Sequence, residues 1–499
     1  MTSGKQQKDL SKVAMGTAMA LAGSIAGRGI AFVSQGLIAG LLGAEIFGLF
    51  VLGVAVVSIC SLLARLGLQN GGMKFVSVYF GENTPRLKGT IITSLSFSLL
   101  AGSLAGALLY ALSGVVAQSV FHKPGLSGVL RLLSVVVPFL TGASVLSSML
   151  QGLHTTKYSV YSRDIVQPAV NAVFILVFYF SGLGLYGVIF ALALSHFASL
   201  ASALYFFGRQ VPEFFDRTVR PEYETKKLLS YSLPIIFIGF VNYGLSWTDT
   251  LMLGALGTLK DVGIYRLTAQ LPILMTLFLT ATNAIYSPLA ADLSSKGEMG
   301  RLGALYKTTT RWVTYASVPV FICLMVGAEE VLAIFGRDFS EGAAVLKVLA
   351  VGSLINCITG GAGITLIMAG KQKVQLYNGL STILLNVILN VLLIPRYGIL
   401  GAAFSTAFST GLTNAVKVFL VHRLFGIHPF SRRSALFITA GLAAVAIVTT
   451  ANMLLGIPAN NGLFAKALEI GIVIGLLFPL SGYDPEDRYL FESVRKKFS

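Results

Sequence analysis

Long apolar segments, separated by short turns rich in polar residues, glycine and proline, run through almost the whole chain. A helix needs about 20 apolar residues to cross the roughly 30 Å hydrocarbon layer of a bilayer. Hydropathy and turn residues therefore predict about fourteen membrane-spanning helices. We place them near residues 13–40, 46–68, 88–111, 128–150, 160–181, 185–208, 228–254, 262–286, 312–328, 342–369, 374–394, 398–422, 434–456 and 463–481.

The composition indicates an all-α polytopic membrane protein. Of the 499 residues, 55% are hydrophobic and 12% are charged, and the mean hydropathy is +0.78. Soluble domains carry about a quarter charged residues, so this chain has too little polar surface for an aqueous fold. The first apolar stretch is longer than the core of a signal peptide, and we expect it to be the first span.

The net charge of +16 is distributed unevenly across the predicted membrane. Of the 37 lysines and arginines, 27 fall on the side of the N-terminus and 8 on the opposite side. Cytoplasmic loops carry an excess of lysine and arginine. We therefore expect both termini and the connection Arg209–Lys227 to be cytoplasmic. The charge is interpreted as an orientation signal, and no nucleic-acid partner is expected.

A faint internal repeat relates two parts of the chain. Leu37–Gly43 followed by Phe47–Phe50 is similar to Leu251–Gly257 followed by Val262–Tyr265, with one inserted residue. Two copies of six spans would both begin in the cytoplasm, which makes this a parallel repeat. The predicted parts are an N-terminal lobe (1–208), a cytoplasmic linker that serves as a hinge (209–227), a second six-helix lobe (228–424), and two further helices with a cytoplasmic tail (425–499).

Short glycine- and leucine-rich strings recur at the junctions between spans. They are Leu42–Gly48, Leu66–Gly72, Asp249–Gly254, Gly263–Tyr265 and Ile394–Ala403. In this order and spacing the chain resembles the Wzx-type polysaccharide flippases of the MATE-like multidrug/oligosaccharidyl-lipid/polysaccharide (MOP) superfamily. The resemblance implies two six-helix lobes around a central cavity, with two extra C-terminal helices. It also implies transport of lipid-linked oligosaccharides by alternating access, although the superfamily contains Na⁺- or H⁺-coupled multidrug exporters as well.

Ionisable groups inside the predicted spans are the main candidates for function, because each costs at least about 2.5–3.5 kcal/mol at mid-bilayer and needs a cavity or a partner. Arg28 lies near the middle of the first span, where it contacts either an anion in the cavity or a structural partner. Gln35, two turns further on, extends the same polar face. Arg65 and Lys417 lie close enough to helix ends to snorkel instead of facing the cavity.

Arg266 and Asp249 lie at similar predicted depth in neighbouring spans. Arg266 either snorkels to the outer interface, pairs with Asp249, or faces the cavity, as the resemblance to lipid II flippases of the superfamily implies. Asp249 is a protonatable coupling group, a cation ligand or the counter-charge to Arg266. His196, midway along the sixth span, is either a neutral imidazole bonded to a backbone or a proton relay.

The sign of these charges favours an anionic substrate. A cavity with Arg28, Arg65, Arg266 and Lys417 against one aspartate would repel organic cations, whereas guanidinium groups hold a diphosphate bidentately. Polar and aromatic groups for the glycan itself are available on span 7. They are Asn242, Tyr243 and Trp247.

Chemistry typical of enzymes is missing from the sequence. The five histidines have no metal-ligand spacing, no phosphate-binding loop occurs, and no two carboxylates share a predicted membrane face. We therefore predict a non-enzymatic flippase without a cofactor or a metal site, which moves a polyprenyl-diphosphate-linked oligosaccharide across the cytoplasmic membrane. Membrane lipids and glycan polymerase or assembly proteins are its expected partners. The alternatives are an Na⁺- or H⁺-coupled exporter that uses Asp249, and a scaffold for glycan-assembly enzymes.

Overall fold

The computed structural model describes residues 2–454, 466 and 469–475, and their side chains except those of residues 2–22, 24, 25, 238, 242 and 453. Every regular element in this part of the chain is helical. The predicted all-α fold class is therefore confirmed. The helices are α1 (Thr2–Ala64), α2 (Leu68–Tyr79), α3 (Thr84–Val115), α4 (Leu126–Leu133), α5 (Val136–Gln151), α6 (Lys157–Val160), α7 (Gln167–Phe180), α8 (Gly184–Gln210), α9 (Thr225–Ser232), α10 (Ile236–Leu256), α11 (Leu259–Gln270), α12 (Ile273–Ser295), α13 (Met299–Val326), α14 (Ala328–Ala333), α15 (Ala343–Ile358), α16 (Ala362–Met368), α17 (Gln372–Phe425) and α18 (Arg432–Leu454).

Nine helices among the described residues are long and apolar enough to cross a membrane, and eleven if each of two bent pairs counts as one span. One bent pair is α4 with α5, and the other runs from Thr225 to Leu256. The last predicted span, near 463–481, lies mostly outside the described residues. Fourteen spans therefore stay a prediction.

The two longest helices each contain a glycine with non-helical backbone angles. Gly43 interrupts α1 with φ 76° and ψ 168°, and Gly398 interrupts α17 with φ 55° and ψ −130°. These angles are accessible essentially to glycine alone. Each glycine falls at a junction that hydropathy predicts between two spans, at 40–46 and 394–398. Each kink thus coincides with a predicted junction between two spans.

The described residues form two compact units. Those up to Leu267 together with Asn390–Ile399 form the first unit, and Thr268–Leu389 with those from Leu400 onwards form the second. In the first unit, α2, α3, α5 and α8 pack around a buried apolar core. The core includes Phe75, Ile91, Leu146, Met149 and Phe207. The lobe boundaries expected from the internal repeat stay a prediction.

In the second unit, α13 packs against α12, α15 and α18. Two fully buried tyrosines satisfy their hydroxyls within this core. The Tyr286 hydroxyl lies 2.6 Å from Thr365 Oγ1, and Tyr306 donates to the Thr359 carbonyl at 2.7 Å. Buried hydroxyls need such partners, since leaving one unpaired costs about 1–3 kcal/mol.

The predicted linker 209–227 is packed onto the ends of α2 and α3. Arg86 forms an ion pair with Glu222 at 3.0 Å, and the Tyr79 hydroxyl donates to the Glu224 carboxylate. Hydrogen bonding from Tyr79, helped by Lys227, lowers the pKa of Glu224 below its ordinary value. The linker is therefore anchored to the first unit by side chains, and its role as a hinge stays a prediction.

Candidate substrate cavity

A cavity of about 170 Å³ lies in the first unit beside the kink of α1. Residues from both sides of Gly43 line it, together with residues of α7, α8, α10 and α11. Three residues predicted as cavity groups are brought together here, namely Gln35, Trp247 and Arg266. The lining is Ala31, Gln35, Ile38, Phe47, Phe50, Val51, Val54, Gln167, Pro168, Asn171, Leu192, Trp247 and Arg266.

Arg266 is held against the side of the cavity by an aromatic ring. The central carbon of its guanidinium lies 3.9 Å from the centre of the Trp247 ring, and its Nη1 donates to the Ser246 carbonyl at 3.2 Å. A contact between a cation and an aromatic ring contributes about 0.5–1 kcal/mol at an exposed site and about 2 kcal/mol or more when it is desolvated, and the Arg266 side chain is half-buried. This geometry keeps a positive charge at the cavity wall and limits how far the side chain can swing.

The preceding turn helps to position Arg266. Asp261 accepts hydrogen bonds from the backbone N–H of Thr258 at 2.8 Å and from its hydroxyl at 2.7 Å. These bonds satisfy the N–H and the hydroxyl of Thr258 at the start of α11, and so help to cap this helix. At the same place α11 approaches α1 closely, because a Cβ on Gly263 would lie 2.0 Å from the Ala44 carbonyl oxygen. The backbone beneath Arg266 is therefore well fixed.

Two amide side chains of α7 also line the cavity, and the sequence analysis did not single them out. Gln167 donates through Nε2 to Ser195 Oγ at 3.2 Å, and Ser195 Oγ in turn donates to the Leu192 carbonyl at 2.8 Å. Asn171 lies one turn further along, and its Oδ1 is buried without a hydrogen-bond partner in the described structure. The signal that could have identified them is their four-residue spacing on one face of an apolar helix.

Asp249 accepts hydrogen bonds from two different helices. The Tyr265 hydroxyl donates to Oδ2 at 2.5 Å, and Asn390 Nδ2 donates to Oδ1 at 2.7 Å. Arg266 itself donates to the Ser246 carbonyl and stacks on the Trp247 ring. Sequence reasoning missed the two neutral donors to Asp249, which belong to α11 and α17. Its proposed roles as coupling group or counter-charge to Arg266 stay predictions.

The other predicted residues of the first unit lie outside the cavity lining. Arg28 has an exposed side chain on α1. Arg65 donates to Ser61 Oγ and to Gln69 Oε1, both at 3.2 Å. His196 lies within electrostatic range of Arg65.

Lys417, Asn242 and Tyr243 are the remaining residues that the sequence predicts for the site. In the second unit, Lys417 donates to Asn414 Oδ1 at 3.2 Å. The side chain of Asn242 lies outside the described residues. The Tyr243 hydroxyl donates to the Ala55 carbonyl at 2.6 Å. In the part of the chain that the structure describes, no group of three or more histidine, cysteine, aspartate or glutamate residues could hold a metal ion.

With this geometry in place, comparison with known proteins assigns the family. The family model described as "Polysaccharide biosynthesis protein" matches residues 13–292, which is more than half of the chain. The chain belongs to this family. A second family model, MatE, matches residues 234–392. The resemblance to MATE-like polysaccharide flippases is confirmed at this level.

Two curated relatives come from Haloferax volcanii. The "Probable flippase AglR" is 30% identical over 219 residues, which cover 42% of this chain and 44% of that protein. The "Probable low-salt glycan biosynthesis flippase Agl15" is 26% identical over 257 residues, covering 50% of this chain and 52% of that protein. The chain thus spans about half the length of these relatives.

A solved structure confirms the fold over a longer stretch. "Lipid II flippase MurJ, inward closed conformation" superimposes with a TM-score of 0.68 and covers 91% of this chain and 98% of the MurJ chain. At 14% identity the likeness shows a common fold. The protein is therefore a multi-pass membrane protein that shares the fold of this MurJ structure.

Proposed function

We propose that this protein is a flippase that carries a polyprenyl-diphosphate-linked oligosaccharide across the cytoplasmic membrane by alternating access. Its family and the names of its relatives from Haloferax volcanii support glycan biosynthesis as the setting. The observation that carries the proposal is the sign of the charge at the cavity. Arg266 is charged, and none of the residues that line the cavity in the described unit is acidic.

This charge matters because the substrate classes within the fold differ in sign. A cationic drug would be repelled by a positively charged wall, whereas a diphosphate is attracted to guanidinium groups and can be held bidentately. Arg28 and Arg65 add positive charge to the same unit. Asp249 accepts hydrogen bonds from Tyr265 and Asn390. Because these bonds occupy both of its carboxylate oxygens, Asp249 is a poor binding site for an organic cation.

Orientation and partners belong to the same proposal. The bias of lysine and arginine towards one side supports cytoplasmic termini and a cytoplasmic linker 209–227. A flippase in this orientation takes up substrate from the cytoplasmic leaflet and releases it on the other side. Glycan polymerase or assembly proteins that use the delivered oligosaccharide are the proposed protein partners.

The test is mass spectrometry of lipid extracts from cells that lack the protein. Loss of a flippase should make polyprenyl-diphosphate oligosaccharide accumulate and should remove surface glycan. Complementation with Arg28→Ala should leave the lipid accumulated, while Asp249→Asn should restore export in part. Unchanged lipid intermediates in the deletion strain would rule the proposal out.

An ion-coupled exporter of small molecules is the second candidate. It is supported by the MatE match over 234–392 and by the position of Asp249, a carboxylate held inside helices by two neutral donors. For an exporter, Asp249→Asn should impair transport more than Arg28→Ala does, because Asp249→Asn removes the coupling charge. Raised sensitivity of deletion cells to cationic toxins, with normal lipid intermediates, would favour this candidate.

A further inference from the structure

We propose that the cavity beside the kink of α1 binds a sugar ring of the translocated lipid, and that Gln167 and Asn171 recognise its hydroxyl groups. The inference rests on the proposed flippase function and names what one part of the substrate path binds. The sugar subsite does not include Arg28, because Arg28 does not line this cavity.

The hydrogen bonds of Ser195 fix the orientation of the Gln167 amide. Ser195 gives its hydroxyl proton to the Leu192 carbonyl at 2.8 Å, so its oxygen is an acceptor towards Gln167. The nitrogen of Gln167 must therefore face Ser195, as the 3.2 Å bond shows. Its Oε1 is left as an acceptor without a described donor, on a residue that lines the cavity.

Asn171, one helical turn away on α7, offers a second acceptor. Its carboxamide makes no described hydrogen bond, and its Oδ1 is buried. A buried carbonyl oxygen without a donor costs about 1–3 kcal/mol, so a ligand that donates to it should gain affinity. Rotation of the amide group presents either the oxygen or the nitrogen to the cavity, since the two ends have nearly the same shape.

These acceptors distinguish a sugar from a phosphate. An ionised phosphate oxygen only accepts hydrogen bonds, so it cannot donate to the carbonyl oxygens of Gln167 and Asn171. A sugar hydroxyl donates and accepts at once, so it can satisfy Gln167 and Asn171 together. Arg266 supplies further N–H donors from a position held on Trp247.

The size of the cavity agrees with one sugar unit. Its volume of about 170 Å³ lies below the roughly 300–1,000 Å³ of pockets for drug-sized ligands. An oligosaccharide would not fit, but a single ring against a mixed wall of apolar and amide groups would. The neighbouring sugars must then lie outside this cavity.

The test uses the full-length chain in lipid nanodiscs and the fluorescence of Trp247. The chain has two tryptophans, so Trp312→Phe leaves Trp247 as the remaining reporter, located in the cavity wall. The probes are undecaprenyl diphosphate and the same lipid carrying glucose, galactose or N-acetylglucosamine. We expect at least one sugar-bearing lipid to bind about tenfold more tightly than the bare lipid, as two additional hydrogen bonds allow.

Variants in the same background locate the effect. Asn171→Leu removes both polar atoms with little change of shape, and it should abolish the advantage of the sugar while leaving the bare lipid unaffected. Asn70→Leu is the matched control, because Asn70 is also half-buried and its side chain makes no described hydrogen bond. It should keep the advantage of the sugar.

The possible results separate the two proposals. Equal affinity for the bare lipid and all three sugar-bearing lipids would overturn the sugar subsite and leave the flippase function standing. Equal weakening of bare and sugar-bearing lipids by Asn171→Leu, or the same loss in Asn70→Leu, would also overturn the subsite. If neither kind of lipid binds, the proposed function itself fails.

Discussion

At the scale of single residues, hydropathy indicates which polar groups lie within apolar segments, but not which groups they contact. Hydropathy places Arg266 and Asp249 inside neighbouring predicted spans; in the structure Asp249 lies on α10 and Arg266 lies on the short helix α11, ahead of α12. Hydropathy cannot show that Trp247 stacks on the arginine or that Asn390 donates to the aspartate, because Asn390 is 141 positions away along the chain. Gln167 and Asn171 were missed because uncharged amides give a weak signal within an apolar helix.

Arg266 offers a test of the planar contact with Trp247. Arg266→Lys keeps the positive charge but loses the flat guanidinium that lies on the ring and can donate to two acceptors at once. We expect Arg266→Ala to abolish complementation of a deletion strain, and Arg266→Lys to restore it only in part. Surface glycan measured per cell is the readout. Full activity of Arg266→Lys would show that charge alone is needed.

The contact between Tyr79 and Glu224 should make the stability of the protein depend on pH. The Tyr79 hydroxyl, followed by Lys227, lowers the pKa of Glu224 in the folded state. A carboxylate with a lowered pKa stabilises the fold above its unfolded pKa of about 4.3, and this contribution is lost as pH falls through the lower folded value. Tyr79→Phe should therefore reduce the melting temperature at neutral pH and flatten its decrease in acid.

Thermal unfolding of the purified chain between about pH 3.5 and 7 measures this dependence. Tyr231→Phe is the control, because the Tyr231 hydroxyl makes no described hydrogen bond in the same unit. An acid profile of Tyr79→Phe identical to that of the unmodified protein would show that the contact does not stabilise the linker.

At the scale of elements, the junctions between spans were predictable and their backbone geometry was not. The turn residues near 40–46 and 394–398 mark the junctions, and in the structure two helical segments meet at each of them through a single glycine with non-helical angles. Hydropathy cannot distinguish a loop from a kink, since both leave two apolar segments. The lining of the cavity from both sides of Gly43 depends on this local geometry.

Gly43 gives a direct test of the kink. A Cβ at this position would meet no atom within 4 Å, so the effect of Gly43→Ala comes from the backbone angles alone. We expect a loss of about 1–3 kcal/mol in the free energy of unfolding, measured by chemical denaturation in detergent.

Gly29 is the matched control on the same helix. A Cβ there also meets nothing within 4 Å, but the backbone is helical. Gly29→Ala should be neutral or stabilise the protein by up to about 1 kcal/mol. Similar losses in both variants would contradict the account of the kink.

At the scale of the whole molecule, the internal repeat predicts that equivalent residues are related by symmetry. Gly48 and Gly263 are equivalent in the alignment of the repeat, and in the first unit they pack against each other. A Cβ on Gly48 would lie 2.8 Å from the Gly263 nitrogen, and a Cβ on Gly263 would lie 3.0 Å from the Gly48 nitrogen. Reciprocal contacts of this kind are typical of a two-fold relation.

The orientation of the chain is tested by labelling single cysteines in a background without the three native ones. Arg217→Cys lies on the linker and Gly125→Cys lies in the turn before α4, on the side predicted to be external. A membrane-impermeant maleimide should label Gly125→Cys in intact cells and Arg217→Cys only after permeabilisation. The opposite pattern would invert the predicted topology.

The central claim is that this protein moves a lipid-linked sugar between leaflets, and reconstitution tests it most directly. Purified protein is placed in vesicles that contain a polyprenyl-diphosphate sugar with a fluorophore on the sugar, and an impermeant quencher is added outside. We predict that protein-containing vesicles lose nearly all fluorescence, because inner-leaflet lipid becomes accessible, while empty vesicles and Arg28→Ala vesicles keep the inner-leaflet fraction. Retention of that fraction by the unmodified protein would contradict the account.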